Sequence, residues 1–395
     1  MRIAISGASG YIGQHLSSFL EGKGYDVIPL GRDLFKEDCF DELCRCVESC
    51  EVVINLAGAS INKRWTEAYK QELYDSRICV TRQLVHAINT RSVKLELFIS
   101  ASAVGYYPAF GEYDEYHDCR GMDFLARLCG TWEEEASACS SDVRLVITRF
   151  GVVLSEDGGA LKEMLRLQRF SRVSVVIGNG QQRFPWISLF DLCRSFGYII
   201  RNRQMRGVVN LVSPDLITQK QLAHTLARAD KIRRIIPLPK FFFRLKFGEG
   251  ASFVAKGQTV HPSKLQESGF TYIYPTIEKL MNITDHHTVP ELDVKRYMGR
   301  WYEIARYENH FERGMTDVTA TYTLLPDGKI RVENEGYKGG VHKKATGRAK
   351  QPDPKNNPGK LKVAFFLWFY ADYYILELDA DYQYAVIGSS TDKYL

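Results

Sequence analysis

Gly7-Ala8-Ser9-Gly10-Tyr11-Ile12-Gly13 comes directly after the short apolar run Ile3-Ala4-Ile5 and opens a helical pattern that lasts from Tyr11 to Glu21. A strand that ends in a glycine turn and re-enters as a helix is the first βα unit of a parallel sheet. Each glycine has its own reason to be there. Gly7 permits the tight turn, Gly10 lets a pyrophosphate approach the main chain, and Gly13 lets helix and strand pack closely. The helix start offers unpaired N–H groups and the positive end of its dipole to an anion. Gly7, Ser9, Gly10, Tyr11, Ile12 and Gly13 are therefore candidate dinucleotide-binding residues. The competing reading is a glycine turn that holds nothing.

The alternation continues. Tyr25 to Leu30 and Val52 to Leu56 read as strands, Thr66 to Thr90 as helix, and Leu97 to Ser100, Arg144 to Phe150 and Gly207 to Val212 as strands. That rhythm predicts an α/β, Rossmann-type parallel sheet covered by helices on both faces. The second strand ends at Leu30-Gly31-Arg32-Asp33. A basic residue there accommodates a ribose 2′-phosphate and an acidic one holds the 2′-hydroxyl. Arg32 favours NADP, and Asp33 keeps NAD open. Leu56, Ala57 and Gly58 end the next strand with small residues, where this fold runs beside adenosine and ribose, unless they are a plain strand end.

With 395 residues the chain has room for two or three domains of roughly 100–200 residues. Its net charge of +5 is no electrostatic footprint for nucleic acid. No stretch approaches the ~18 apolar residues of a membrane span, and the first residues leave no room for a secretory leader. All nine cysteines fall between Cys39 and Cys193, with no CxxC spacing. That is not a disulfide framework, and it points to the cytoplasm. Cys39, Cys44, Cys46 and Cys50 are either a zinc site or thiols packed as small hydrophobes.

After Leu280 the pattern changes. Residues 282–290, with Asp285, His286 and His287, read as a linker, the histidines being solvated or metal-touching. From Gly299 the period is two: Thr319, Thr321 and Thr323 alternate with Ala320, Tyr322 and Leu324, and turns come at Pro326-Asp327-Gly328, Lys338-Gly339-Gly340 and Pro352 to Gly359. Short alternating strands of this kind predict an antiparallel barrel or sandwich.

These residues carry two resemblances. Residues 1–281 resemble an atypical, extended short-chain dehydrogenase/reductase family of nucleoside-diphosphate-sugar epimerase type, through Gly7 to Gly13, Asn55 to Ala59, Arg64-Trp65-Thr66, Ser76-Arg77, Ser100 to Tyr107, Gly178 to Gln181, Phe184 to Ile187 and Gly248-Glu249. The resemblance implies a bound NADP, a lobe mainly within 155–281 over the cleft, and Glu72 and Arg77 near the cofactor. On sequence alone those two are equally well exposed helix residues. In that superfamily a Tyr-x-x-x-Lys pair moves the proton and an earlier serine holds the reacting oxygen. Ser102 fits the serine, but Leu125 and Cys129 stand where the pair belongs. Tyr106 and Tyr107 leave the same strand end and are the substitutes, with Glu112, Asp114, Glu115 and a Cys129 thiolate as rivals. Gln182 to Ile187 lies where such proteins grip a substrate. Trp186 stacks there or packs on Pro185, Ser188 stands where relatives carry histidine, and His261 is a surface histidine or a catalyst.

Residues 291–395 resemble bacterial lipocalins, through Gly299-Arg300-Trp301-Tyr302 with Glu303 to Arg306, Phe311 to Gly314, Val318 to Tyr322 and Asp379 to Ala385. That implies a barrel around one apolar ligand, a fatty acid or lysophospholipid, with Trp301 closing one end. Phe365 to Tyr370 lines the mouth or fills the core. Thr391 to Leu395 falls where an eighth strand would begin, so the expectation is an incomplete barrel with open edges, truncated or completed by another chain in a homo-oligomer. Three functions fit these features: an epimerase or oxidoreductase on a small, nucleotide-linked substrate, a non-catalytic NADP(H)-binding regulator, or a lipid carrier.

Overall fold

The computed structural model describes the chain apart from residues 94, 240, 243–247, 249–256, 282–287, 307–313, 355, 356, 367, 368 and 389–395. Of the sequence motifs, Glu249, Asp285 to His287, Phe311 to Arg313, Leu367, Trp368 and Thr391 to Leu395 lie outside the described residues. The chain divides into two compact units, Met1–Leu280 and Met281–Leu395.

In the first unit the chain runs β1 (Arg2–Ser6), α1 (Tyr11–Glu21), β2 (Asp26–Leu30), α2 (Phe40–Glu48), β3 (Val52–Asn55), α3 (Glu67–Thr90), β4 (Leu97–Ala103), β5 (Glu112–Tyr113), α4 (Phe124–Ser137), β6 (Arg144–Phe150) and β7 (Val152–Ser155). It continues through α5 (Gly159–Ser171), β8 (Val173–Ile177), β9 (Trp186–Ser188), α6 (Leu189–Arg201), β10 (Gly207–Leu211), α7 (Gln219–Ala229), β11 (Arg234–Leu238) and β12 (Thr259–Val260). Six strands form one parallel sheet in the order β10-β6-β4-β3-β1-β2. This is the Rossmann-type sheet the alternation predicts.

Period two explains its two cores. Ile3 and Ile5 of β1 point with Ile54, Ile99 and Val146 toward Leu16, Leu20 and Phe196 of α1 and α6. Ala4, Val53 and Phe98 point the other way, toward Leu43, Leu84, Val85 and Ile88 of α2 and α3. Cys44, Cys46 and Cys50 pack into that second layer, as small apolar side chains do. On the opposite face, beside α6, the buried Arg144 guanidinium donates to the carbonyls of Ile199, Ile200, Asn202 and Met205, closing the C-terminal end of α6. Because β2 and β3 lie on opposite sides of β1, the strand order reverses there. The crevice beyond the carboxyl ends of β1 and β3 is where such sheets take ligands.

The second unit is a seven-stranded antiparallel meander: β13 (Gly299–Tyr302), β14 (Met315–Leu324), β15 (Ile330–Lys338), β16 (Val341–Lys350), β17 (Lys360–Phe366), β18 (Phe369–Leu378) and β19 (Ala385–Gly388). Each strand pairs with its neighbour in sequence, and among the described residues β13 and β19 are its edges. It is an incomplete barrel. Gly339 and Gly340, at φ +58° and +77°, make the two-residue hairpin between β15 and β16, which needs left-handed backbone at both positions. Ile330, Val332, Ala349, Leu361, Val363 and Ile375 line the inner face. Trp301 packs against that core and donates from Nε1 to the Tyr297 carbonyl at 2.9 Å. Val289, within the expected linker, bonds the Ile375 carbonyl and packs on the same core. Phe365 is 43 % exposed rather than core.

Three phenols meet inside this unit: the Tyr373 hydroxyl lies 2.8 Å from that of Tyr297 and 2.9 Å from that of Tyr322. Burial pushes the Tyr297 and Tyr373 phenols above their ordinary value of about 10. The folded state then holds these protons more tightly than the unfolded chain. Their contribution is complete below pH ~10 and is lost as pH rises toward the raised folded values. The part of the tyrosinate absorbance that belongs to Tyr297 and Tyr373 should therefore lag behind that of the exposed tyrosines through pH ~10–11 and appear only as the barrel unfolds. Complete titration at pH ~10 with native circular dichroism would contradict the burial of these hydroxyls.

Candidate cofactor cleft and active site

The glycine turn sits at the crevice. Gly7 has φ +72°, and a Cβ there would stand 2.8 Å from the carbonyl carbon of Leu56. Gly13 packs on the turn itself: a Cβ would fall 2.2 Å from the Gly7 oxygen and 2.7 Å from the Ala8 Cα. Gly10 is different. It is the N-cap of α1, makes no side-chain cap bond, and a Cβ there would meet only the Gly7 oxygen, at 3.2 Å. The turn is therefore compressed at Gly7 and Gly13 and open at Gly10, which leaves the first N–H groups of α1 facing outward. Ser9 is exposed, with its carbonyl bonded by Gln14. Tyr11 and Ile12 pack against the core beneath.

The other lip is Leu56, Ala57 and Gly58. Leu56 donates its N–H to the Ser6 carbonyl, and Asn55, fully buried, accepts from Ser6 Oγ at 2.6 Å and donates to Thr81 Oγ1 at 2.8 Å. Helix α3 clamps the next residue, Ala59. Ser76 Oγ accepts from the Ala59 N–H, and Arg77 donates to the Ala59 carbonyl, its Cζ 2.9 Å from where a Gly58 Cβ would be. Arg77 also lies 5.3 Å from the Trp132 ring centroid, and burial lowers the pKa of its guanidinium. Arg77 thus stands at the lip of the crevice, whereas Glu72 is exposed on α3. Arg32 is exposed after β2, while Asp33 is ion-paired to Lys36, which holds its carboxyl below the usual range.

One sheet position over, the register pairs Ser102 of β4 with Arg149 of β6. Both face α4. Arg149 grips Glu133 with two bonds, Nε to Oε1 at 2.8 Å and Nη2 to Oε2 at 2.7 Å, and Ser102 Oγ lies 2.6 Å from Oε1. All three are buried. A carboxylate held this way by a guanidinium is ionised and only accepts. Ser102 must therefore donate to it, and its lone pairs alone face other partners. The Arg149 plane also covers the Tyr106 ring, Cζ to centroid 3.5 Å. Tyr106 is half-buried and bonds Asp118, and burial raises its phenol despite the opposing pull of Arg149. Tyr107 is buried, its hydroxyl placed 2.8 Å from the Asp114 carbonyl and 3.1 Å from Asn210 Oδ1. The two adjacent tyrosines thus have different fates: one is a wall of the site, the other a tie between distant segments.

Leu125 and Cys129 face this cluster. Leu125 packs on Gly105, and Cys129 lies beside Ser102 and Ala103. Burial pushes the Cys129 thiol up to about 12, so it is no thiolate at neutral pH. Glu112 pairs with His261, Asp114 with His117, and Glu115 accepts the N–H groups of Asn210 and Lys264. These carboxylates and His261 are ties between loop and lobe. Trp186 is fully buried, which makes it a packing residue. Ser188 is the N-cap of α6.

Glu133 is absent from the candidates that the sequence pattern suggests. Its signal was nonetheless present: Glu133 lies one helical turn after Cys129, on the face that also carries Leu125. A carboxylate on an apolar helix face calls for a partner.

Comparison with known proteins agrees with this geometry. Residues 3–211 match the model of the NAD dependent epimerase/dehydratase family, more than half of the chain. The chain belongs to that family. Residues 238–282 match a domain of unknown function, and residues 292–395 match the lipocalin-like domain. Among epimerase-family relatives, SH2119 of Staphylococcus haemolyticus is 35% identical over 286 residues, covering 69% of this chain and 95% of that protein. YfhF of Bacillus subtilis is 33% identical over 307 residues, covering 73% and 100%. The crystal structure of human epimerase family protein SDR39U1 with NADPH aligns at 32% identity and TM-score 0.66, over 71% of this chain and 98% of that one. No helix of the described residues is long and apolar enough to cross a membrane.

Proposed function

We propose that this epimerase-family chain binds NADP and uses it to reduce, or to oxidise and re-reduce, a small nucleotide-linked carbonyl compound. The observation that carries the reading is the open N-cap at Gly10 between two compressed glycines, a cradle that leaves room for phosphate oxygens against the first N–H groups of α1. Gly7, Ser9, Gly10, Tyr11, Ile12 and Gly13 would hold the pyrophosphate, and Leu56, Ala57, Gly58 and Arg77 the adenosine side. The exposed Arg32 beside an Asp33 already engaged by Lys36 favours a 2′-phosphate. The NADPH in the human relative supports this choice. Bound NADPH supplies a hydride.

The chain's own residues supply the proton and the orientation. The superfamily lysine has no counterpart, and the Glu133–Arg149 pair that stands near its place is neutral overall. It stabilises no phenolate, so Tyr106 stays a protonated phenol, the state that donates to a carbonyl oxygen during reduction. Ser102, whose one proton goes to Glu133, accepts a hydrogen bond from a neighbouring substrate hydroxyl. Tyr107 supports this wall from below.

The second unit is proposed to hold a fatty acid or lysophospholipid on its apolar inner face. We place the protein in the cytoplasm, on its free thiols, and its open-edged barrel in a homo-oligomer. Deuterium carried on NADPH C4 should appear in a nucleotide-linked keto sugar from a tested panel. Tight NADPH binding with no label transfer to any member would favour the regulator or lipid-carrier reading instead.

A further inference from the structure

We propose a second ligand site on the first unit, in the groove between α1 and α6, that takes a planar organic anion. The groove has a volume of about 480 Å³, within the range of small-molecule sites. Its floor is aromatic: Phe270 is buried and Phe19 half-buried, and Phe190 stands on the rim 49 % exposed. Its walls are cationic, with Lys23 from the end of α1 and Arg194 and Arg201 from α6.

The geometry brings charge and ring together. Lys23 Nζ lies 5.8 Å from the Phe19 centroid. Gly197 of α6 has no side chain, and at the point where its Cβ would be, Phe19 Cε1 is 3.2 Å away and Arg201 Nη1 3.5 Å. One cation therefore lies over the ring, and a second stands near its edge. Arg194 is 5.2 Å from the Phe270 centroid, but Asp191 already pairs with it at 2.9 Å. Among the described residues no carboxylate lines the groove to answer Lys23 or Arg201. An exposed cation by itself is ordinary. Two that line one groove with an aromatic floor match a ligand with a flat face and an anionic group.

The site is not the cofactor cleft. Phe19 and Lys23 lie at the far end of α1 from Gly10, and a helix of 11 residues is about 16 Å long. It therefore remains open when dinucleotide is bound. Ligand there would press on α1, the helix whose first turn cradles the pyrophosphate.

The test uses the full chain saturated with NADPH and titrated with 8-anilinonaphthalene-1-sulfonate, a sulfonate with a flat naphthalene face, monitored by fluorescence. The double variant Lys23→Glu, Arg201→Glu carries the same barrel, so any binding there is common to both proteins. Both changed side chains are exposed, and the melting temperature should stay within a degree or two. One class of sites should weaken at least about tenfold in the variant and on raising salt. Adenosine monophosphate and benzoate are then added as competitors. Displacement by the first identifies a nucleotide source, and displacement by the second an aromatic acid. Superimposable isotherms for the two proteins would overturn the site, and a lost class that neither competitor displaces would overturn the planar-anion class.

Discussion

Replacing Glu133 with methionine should destabilise the first unit by about 3–5 kcal/mol, because it leaves the Arg149 guanidinium buried with no counter-charge. The two side chains are 9 % and 5 % exposed, so water cannot take over the lost bonds. The effect should be local. Amides of α4, β4 and β6 should lose hydrogen-exchange protection first, since the pair ties the helix to both strands. Adding Arg149→Met to the same chain should recover most of the loss, because a buried ion pair and a well-packed apolar replacement are similar in free energy. The double variant is also the functional control. It would fold, but Ser102 would lose its acceptor and Tyr106 its guanidinium wall, so any hydride transfer should fall while NADPH binding persists. A single substitution that costs under ~1 kcal/mol, or a double variant as unstable as the single, would show that the pair is not a desolvated unit.

This pair marks the boundary of what is legible in the sequence. Helix α1 and strand β6 were readable to the residue, because apolar spacing and a glycine turn are local signals. The role of Glu133 was not. Its place on the apolar face with Leu125 and Cys129 calls for a partner, but only the register that sets Ser102 opposite Arg149 shows which one. Tyr106 and Tyr107 were equal candidates for the same reason. Tyr107 is removed from the site by Asn210, 103 residues further on, and no pattern around position 107 carries that contact. Asp33 kept NAD open on sequence alone, and what engages it is a lysine three residues later. Helical patterns, strands and turns are written in nearest neighbours. Which polar group meets which depends on the sheet order, and that is where the candidate chemistry lies.

The glycine turn allows a sharper separation of fold from binding. Gly10→Val should cut NADPH affinity by at least about a hundredfold, or ~2.7 kcal/mol, while costing the fold about 1 kcal/mol or less. Gly10 has φ −73° and an extended ψ, which valine adopts readily, and its only crowding is the Gly7 oxygen at 3.2 Å. The isopropyl group would instead project where phosphate oxygens need to approach the N–H groups of α1. Gly13→Ala should behave in the opposite way. Its methyl would lie 2.2 Å from the Gly7 oxygen, so α1 must move off the turn, and both stability and binding should fall, the former by about 1–3 kcal/mol. Fluorescence titration with NADPH beside a thermal melt distinguishes the two. The contrast matters more than either value: a chain in which Gly10→Val binds NADPH like the wild type would mean that the open N-cap is an idle feature of the turn, and the dinucleotide reading of this crevice would fail with it.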